Sequence, residues 1–255
     1  MILAIDVGNT NIVLGCIEDG KILNEVRLHT EVLCTDAEYA IKLKQMLEIY
    51  GIDPKEFEGA IISSVVPQVT EALIHAIDWI SGLTPMVVGP GMKTGLNVRI
   101  DDPATLAGDL VVGSVAAIAY YGAPVIILDM GTATTMVAVD KTNSYIGGAI
   151  MPGVKLSYSA LSSGTSLLPD ISISAPKKII ATNTVDSMRS GAVFGTAAMI
   201  DGMIDRMEEE LGYECKIIAN GGIAQAVTPY CKHNILLDSD LLLKGLWVIY
   251  KKNKK

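Results

Sequence analysis

The sequence predicts an α/β protein built from two similar halves, each a mixed β-sheet flanked by helices. The segment LAIDVGNTNIVL (3–14) ends an apolar strand at Asp-x-Gly followed by small polar residues, and VIILDMGTATTM (125–136) does the same. The aspartates of the two segments, Asp6 and Asp129, lie almost half the chain length apart, which indicates an internal repeat. A length of 255 residues is sufficient for two such halves, which we divide into 1–118 and 119–255.

The elements of the first half follow from turn residues and hydrophobic periodicity. Short strands are expected over 1–8, 11–18, 21–29, 59–67 and 85–88. Helices are expected over 35–51, 68–82 and about 103–120. The second half opens with the same strand–turn–strand pattern over 124–141, followed by a glycine-rich stretch and a helix after Pro152. A long helix over 183–212, a strand over 215–222 and a C-terminal helix complete it.

The composition is that of a folded chain with a substantial core. Hydrophobic residues make up 50% and charged residues 19% of the sequence, which argues against disorder. The net charge of −8 argues against a nucleic-acid partner, because phosphate binding requires clustered Lys and Arg. Four scattered cysteines without a CxxC pair indicate reduced thiols. The chain contains neither a leader pattern nor an 18-residue apolar run, so we expect a cytoplasmic protein without a membrane partner.

The two Asp-x-Gly turns are suited to a nucleotide with its metal ion. Gly8 and Gly131 allow a phosphate to approach the backbone, and the Asn and Thr residues around them are neutral hydrogen-bond donors. Asp6 and Asp129 repel phosphate and are instead suited to a cation or to its bound water. A single turn of this kind is more often an ordinary hairpin, but two copies at equivalent positions favour the nucleotide site. IIANGGIA (217–224) adds a Gly-Gly at a strand end, where adenosine can lie against the backbone.

Several segments together resemble one known family, the type III pantothenate kinases of the acetate kinase/sugar kinase/Hsp70/actin superfamily. The segments are DVGNTN, DMGTATT, GGAIMPG, NTVDSMRSG, NGG and DSDLLLKGLWVIYKKN, and they span essentially the whole chain. The resemblance implies two ribonuclease H-like, actin-like lobes with a nucleotide cleft between them. It implies ATP-dependent phosphorylation of pantothenate, the first step of coenzyme A biosynthesis, by a homodimer that requires Mg²⁺ and a monovalent cation, K⁺ or NH₄⁺.

The same resemblance implies a role for individual residues. Asp109, in LAGDLV, is the implied catalytic base, and Asp6 and Asp129 are the implied metal ligands. The residues implied to bind ATP are Asp6, Val7, Gly8, Asn9, Thr10, Asn11, Ile12, Val13, Thr132, Gly221 and Gly222. The residues implied to bind pantothenate are Ala107, Gly108, Asp109, Leu110 and Thr184, the last across a dimer interface.

Other interpretations of these residues remain open at this point. Without the family resemblance, Asp109 is better interpreted as an acidic residue that stabilises a helix N-terminus. Leu110 stands where the family usually has an arginine, and Ile100 where many members have a tyrosine. These two differences motivate two alternatives: a kinase acting on a different small hydroxylated substrate, or a catalytically weak regulatory paralogue. The three histidines are expected to be isolated, and the methionines between 188 and 207 to pack in a core or a dimer interface.

Overall fold

The computed structural model describes residues 1–254 and contains two compact units. The first unit comprises Met1–Leu96, Asp102–Ala119 and the chain from Asp240 onward. The second comprises Asn97–Asp101 and Tyr120–Ser239. Both units are α/β, with one mixed sheet each, as the sequence predicts.

The first unit is a five-stranded sheet with helices on both faces. Its strands, in the order β3-β2-β1-β4-β5, are β1 Ile2–Val7, β2 Asn11–Glu18, β3 Lys21–His29, β4 Gly59–Ser64 and β5 Met86–Val87. Its helices are α1 Asp36–Ile49, α2 Pro67–Ser81, α3 Gly108–Tyr121 and α8 Leu241–Asn253. Leu3 and Ile5 on one face pack in a core with residues of α1 and α2, such as Leu43. Ile2 and Ala4 on the other face pack with residues of α3 and α8.

The second unit is a six-stranded sheet in the order β11-β10-β7-β8-β9-β6. Its strands are β6 Asn97–Val98, β7 Val125–Met130, β8 Ala133–Val139, β9 Ser144–Pro152, β10 Lys216–Asn220 and β11 Ile235–Leu237. Its helices are α4 Val154–Ser163, α5 Thr184–Ser190, α6 Thr196–Leu211 and α7 Ala224–Val227, with a π-helical turn at Gly191–Gly195 between α5 and α6. Ile126 and Leu128 of β7 pack against Ile200 and Ile204 of α6.

The strand orders confirm the internal repeat. β1 pairs antiparallel with β2 and parallel with β4, and β7 pairs antiparallel with β8 and parallel with β10, so β1 corresponds to β7 and β4 to β10. Asp6 lies opposite Val13 on β2, and Asp129 lies opposite Thr135 on β8. The two aspartates therefore occupy equivalent positions at the carboxyl ends of equivalent strands.

The units differ from the predicted halves in the position of the C-terminal helix. Leu246 and Ile249 of α8 are fully buried against Ile2 and Ile61, so α8 belongs to the first unit although it follows the second in sequence. Burial of two large aliphatic side chains contributes about 1.5–3 kcal/mol each, which is sufficient to hold the helix there.

Three element boundaries also differ from the predictions. The helix expected from about residue 103 begins at Gly108, because Pro103–Thr105 form a separate 3₁₀ turn capped by the side chain of Asp102. The glycine-rich stretch after residue 143 is strand β9, which pairs with β8 along its length. The helical run from 184 to 211 contains the π-helical turn. None of the helices in residues 1–254 is both long enough and apolar enough to cross a membrane.

Candidate active site

The first Asp-x-Gly turn, between β1 and β2, is closed by backbone hydrogen bonds. Gly8 N–H donates to Asn11 O at 3.0 Å, and the side chains of Asn9, Thr10 and Asn11 are exposed. Val7 and Ile12, which were expected among the ATP-binding residues, have their side chains in the core, so only their backbone can face a ligand. The turn thus presents backbone groups and three polar side chains at the end of a buried strand.

Thr30, which sequence reasoning did not identify, braces this turn from the end of β3. Its hydroxyl donates to Gly8 O at 2.7 Å, and its N–H donates to Thr10 O at 3.0 Å. Two hydrogen bonds from one residue hold the turn in a single conformation. In the sequence, Thr30 is only a threonine directly after the third predicted strand, and a threonine at such a position is too common to indicate this role.

The second turn, between β7 and β8, repeats this arrangement. Gly131 N–H donates to Ala133 O at 3.0 Å, and Thr132 is exposed at the tip. Gly153, at the end of β9, donates its N–H to Thr132 O at 3.2 Å. A Cβ atom on Gly153 would lie 2.2 Å from Thr132 O, so only glycine allows this approach. In both units, therefore, the turn is held by the residue that follows the next strand but one: Thr30 after β3 and Gly153 after β9.

The Gly-Gly motif after β10 lies directly against the second turn's strand. Gly221 adopts φ +94°, and a Cβ atom there would lie 2.6 Å from the carbonyl of Met130. Gly222 is exposed at the rim of a groove of about 550 Å³ in the second unit. Pockets of about 300–1,000 Å³ are typical of small-molecule sites.

Most residues that line this groove were not identified from sequence. They come from α4, from the segment 170–173 and from the chain after β10: Lys155, Tyr158, Ser159, Asp170, Ile171, Ser172, Ile173, Gly222, Ile223 and Ala226. Arg189 of α5 donates from Nη2 to Ser172 Oγ at 3.0 Å and thereby supports the wall of the groove. The mixture of apolar walls with a lysine, a tyrosine and an aspartate is suited to a nucleoside.

Asp109 lies in the first turn of α3, half-buried. Burial raises the pKa of its carboxyl above the ordinary value, and the N–H of Leu110, which donates to Oδ1 at 2.8 Å, offsets part of the rise. A Cβ atom on Gly108 would lie 3.5 Å from Ser63 Oγ, and Ser63 is the register partner of Asp6. The first unit therefore brings Asp6, Ser63 and the start of α3 together at one edge of its sheet.

The remaining predicted residues are distributed as follows. Ala107 and Leu110 flank Asp109 and are half-buried, as is Ile100. Thr184 is exposed in the first turn of α5, which the side chain of Asn183 caps by accepting from Asp186 N–H at 2.9 Å. Asp129 is half-buried and lies in register with Asn220 on β10.

Two minor expectations about histidines and cysteines are settled by the structure. His233 Nε2 lies 2.8 Å from Asp205 Oδ1 and His75 Nδ1 lies 3.5 Å from Asp36 Oδ2, so the expectation that the histidines are isolated was wrong. All four cysteines are free thiols. Burial raises the pKa of Cys16 to about 11 and of Cys231 to about 12, so these thiols are unreactive at neutral pH.

The residues present are compatible with a metal ion bound chiefly through phosphate. Within residues 1–254, no three His, Cys, Asp or Glu side chains are grouped so as to hold a metal. Asp6 and Asp129 instead offer one carboxylate each beside an exposed turn. Mg²⁺ is commonly held in this way, by one or two carboxylates together with phosphate oxygens and water.

Two α/β units with an Asp-x-Gly turn at the ends of β1 and β7 define a protein of the actin-like fold class. Solved structures agree on the fold. Component A of the (R)-2-hydroxyglutaryl-CoA dehydratase of Acidaminococcus fermentans has a TM-score of 0.60 at 14% identity, covering 100% of this chain and 99% of that one. A Sinorhizobium meliloti protein described as a 2-dehydro-3-deoxygalactonokinase has a TM-score of 0.61 at 12% identity, covering 100% and 97%.

The chain belongs to the type III pantothenate kinase family. The sequence profile of that family matches residues 2–206. The type III pantothenate kinase of Halalkalibacterium halodurans is 42% identical over 253 residues, which is 99% of this chain and 100% of that protein. Membership in this family confirms the resemblance that the sequence motifs indicate.

Proposed function

We propose that the protein catalyses the ATP-dependent phosphorylation of pantothenate to 4′-phosphopantothenate, the first step of coenzyme A biosynthesis. The observation that carries the proposal is the position of Asp109, a desolvated carboxylate at the start of α3 on the sheet edge that also carries Asp6. Membership in the type III pantothenate kinase family supports both the substrate and the use of ATP with a divalent metal.

Asp109 is the base for the substrate hydroxyl. Phosphoryl transfer requires mostly positioning and charge neutralisation, with a carboxylate that orients the attacking oxygen and accepts its proton. The Leu110 N–H fixes Oδ1 of Asp109 and thereby the orientation of the carboxylate. A pKa raised by burial makes this carboxylate a stronger base than an exposed aspartate.

The two turns and the groove hold ATP in this proposal. The exposed Asn9–Asn11 segment and Thr132 bind phosphate oxygens, and the groove beside Gly222 takes the adenosine. When bound, Mg²⁺ neutralises the charge of the phosphates. Asp6 holds this ion through its carboxylate, and Asp129 holds a monovalent cation, K⁺ or NH₄⁺.

A homodimer, with Thr184 contributed to the partner's pantothenate site, is part of the proposal. The second unit exposes large apolar side chains on β9, on α4, in the segment before α5 and on α6. They are Ile150, Leu156, Leu161, Leu167, Ile179, Ile180 and Met199. Where exposed apolar side chains are contiguous, they are typical of protein–protein contact surfaces.

A coupled assay of ADP release tests the function directly. We expect release that depends on pantothenate, ATP and Mg²⁺, and that is faster with K⁺ or NH₄⁺ than with Na⁺. Absence of pantothenate-dependent release under these conditions would contradict the proposal, whereas release that does not need K⁺ or NH₄⁺ would contradict only the monovalent-cation part.

A kinase acting on a different small hydroxylated substrate is the second candidate, and Leu110 favours it. The run Ala107–Leu110 contains no cationic side chain to pair with the carboxylate of pantothenate. The same assay with a panel of hydroxy acids and their amides separates the two candidates. A kcat/KM for a neutral amide that exceeds the value for pantothenate would favour the second candidate.

A further inference from the structure

Two buried oxygen atoms without partners lie at equivalent positions of the two sheets. Ser63 lies opposite Asp6 in the parallel pair of β1 and β4, and Asn220 lies opposite Asp129 in the parallel pair of β7 and β10. Ser63 is 0% and Asn220 is 4% exposed. Within residues 1–254, Ser63 Oγ neither donates nor accepts a hydrogen bond, and Asn220 Oδ1 accepts none. An unsatisfied buried polar group costs about 1–3 kcal/mol, so a repeated pair of them indicates a function.

Both oxygens lie beside an acidic strand end. Residues in register on parallel strands point to the same face of the sheet, so Ser63 shares a face with Asp6 and Asn220 shares a face with Asp129. Ser63 Oγ also lies next to Gly108, one residue before Asp109. A carboxylate next to an unpaired oxygen is a favourable environment for a hard cation or for water bound to one.

Two serines near Ser63 show that buried hydroxyls in this part of the first unit ordinarily have partners. Ser64 accepts from Val66 N–H at 3.0 Å and from the Thr70 hydroxyl at 2.6 Å. Ser114 donates to Leu110 O at 2.7 Å. Ser114 is as fully buried as Ser63, at 0% exposure, yet only Ser63 leaves its hydroxyl without a hydrogen bond.

We propose that Ser63 and Asn220 are positioning residues that complete two cation sites, one in each unit. Each oxygen binds the cation held at the neighbouring aspartate, directly or through one water molecule. Ser63 acts with Asp6 on Mg²⁺, and Asn220 acts with Asp129 on the monovalent cation. This inference rests on the proposed function, and it explains why the repeat retains a polar side chain at both positions.

A crossed ion titration of two variants tests the inference. In Ser63→Ala the Mg²⁺ concentration for half-maximal activity should rise about 10- to 100-fold, as for other residues that support metal ligands, with the K⁺ dependence unchanged. In Asn220→Ala the K⁺ dependence should shift and the Mg²⁺ dependence should not. Ion constants within about twofold of wild type in both variants would overturn the inference.

Thermal stability separates a structural role from the proposed one. Ser63→Ala removes an unpaired hydroxyl, so its Tm without ligand should equal or exceed that of wild type. The matched control Ser64→Ala removes a hydrogen-bonded hydroxyl, so its Tm should fall while its ion constants stay the same. A large fall in Tm for Ser63→Ala, with activity lost in proportion to folded protein, would assign Ser63 a structural role.

A binding measurement independent of activity completes the test. Mn²⁺ binding to the protein with a non-hydrolysable ATP analogue, followed by electron paramagnetic resonance, should weaken in Ser63→Ala and not in Asn220→Ala. Asn220→Asp keeps the side-chain size and adds a second carboxylate beside Asp129, so KCl should raise its Tm more than it raises that of wild type. An equal rise would contradict the role of Asn220. If wild type lacks pantothenate kinase activity but these binding results hold, only the proposed substrate is wrong.

Discussion

At the scale of single residues, the proposed catalytic role of Asp109 depends on the desolvation of its carboxylate. Asp109 is at a helix start, where an acid is ordinarily stabilised by the backbone N–H groups. Burial outweighs the Leu110 hydrogen bond, and the net effect is a raised pKa. A raised pKa means that folding disfavours the charged form, so Asp109 lowers the stability of the protein at neutral pH.

Asp109→Asn should therefore separate activity from stability. We expect turnover to fall about 10²- to 10⁴-fold, as for the loss of a general base, with the affinity for ATP nearly unchanged. The variant should equal or exceed wild type in stability at pH 7. This gain should be absent below pH 3.8, where the carboxyl is neutral in both states, and should be complete above the raised pKa. Steady-state kinetics and urea unfolding at several pH values measure both; unchanged turnover would exclude Asp109 as the base.

Thr30→Val tests the brace on the first turn. Loss of the hydroxyl bond to Gly8 O should lower stability by about 1 kcal/mol and raise the KM for ATP several-fold, because the turn is no longer held in one conformation. Ser81→Ala removes a similar bond, to Ile77 O, at the far end of α2 and should affect stability alone. Equal KM values for ATP in the two variants would show that the Thr30 hydroxyl does not contribute to ATP binding.

At the scale of elements, the close contact of β10 with β7 positions the Gly-Gly motif at residues 221 and 222. Gly221→Ala should destabilise the protein and weaken ATP binding, because the new Cβ would collide with the Met130 backbone and φ +94° disfavours alanine. The expected loss is about 1–3 kcal/mol in urea unfolding. Gly222→Ala has open space around the new methyl group and should retain wild-type stability. Equal unfolding free energies for the two variants would contradict this account.

Asn253, at the C-terminal end of α8, makes two hydrogen bonds with the backbone of the loop before β6. Asn253 accepts from Lys93 N–H and donates to Lys93 O, both at 3.0 Å. Asn253→Ala should lower the free energy of unfolding by about 1–3 kcal/mol, because the loop backbone loses both partners. Lys254→Ala breaks only an exposed ion pair with Glu58 and should cost less than about 1 kcal/mol. A larger loss of unfolding free energy for Lys254→Ala than for Asn253→Ala would contradict this prediction.

At the scale of the whole molecule, the proposed homodimer can be tested through one exposed apolar side chain in each unit. Ile180 is 83% exposed in the second unit, and Ile49 is 80% exposed in the first. Ile180→Glu should dissociate a dimer and lower turnover, since Thr184 would then reach no partner, whereas Ile49→Glu should do neither. Analytical ultracentrifugation with parallel kinetics measures both effects. A wild-type monomer with full activity would contradict the dimer.

Much of the fold and part of the site could be predicted from the sequence, because both depend on short local patterns. The apolar runs and the Asp-x-Gly turns identified β1, β2, β7 and β8. Strand β9 was missed because its glycines obscure the strand pattern, and the brief strands β6 and β11 are too short to have a period.

The sequence alone determined the repeat, the two acidic turns and the family, since each is carried by short runs of adjacent residues. Only the tertiary structure decided that α8 packs on the first sheet and that Thr30 braces Gly8. It also decided that α4 and residues 170–173 line the groove beside Gly222, and that Ser63 and Asn220 lie opposite the two aspartates. These features join residues that are distant in the chain, and strand register and side-chain packing, which bring them together, are not encoded in any local pattern.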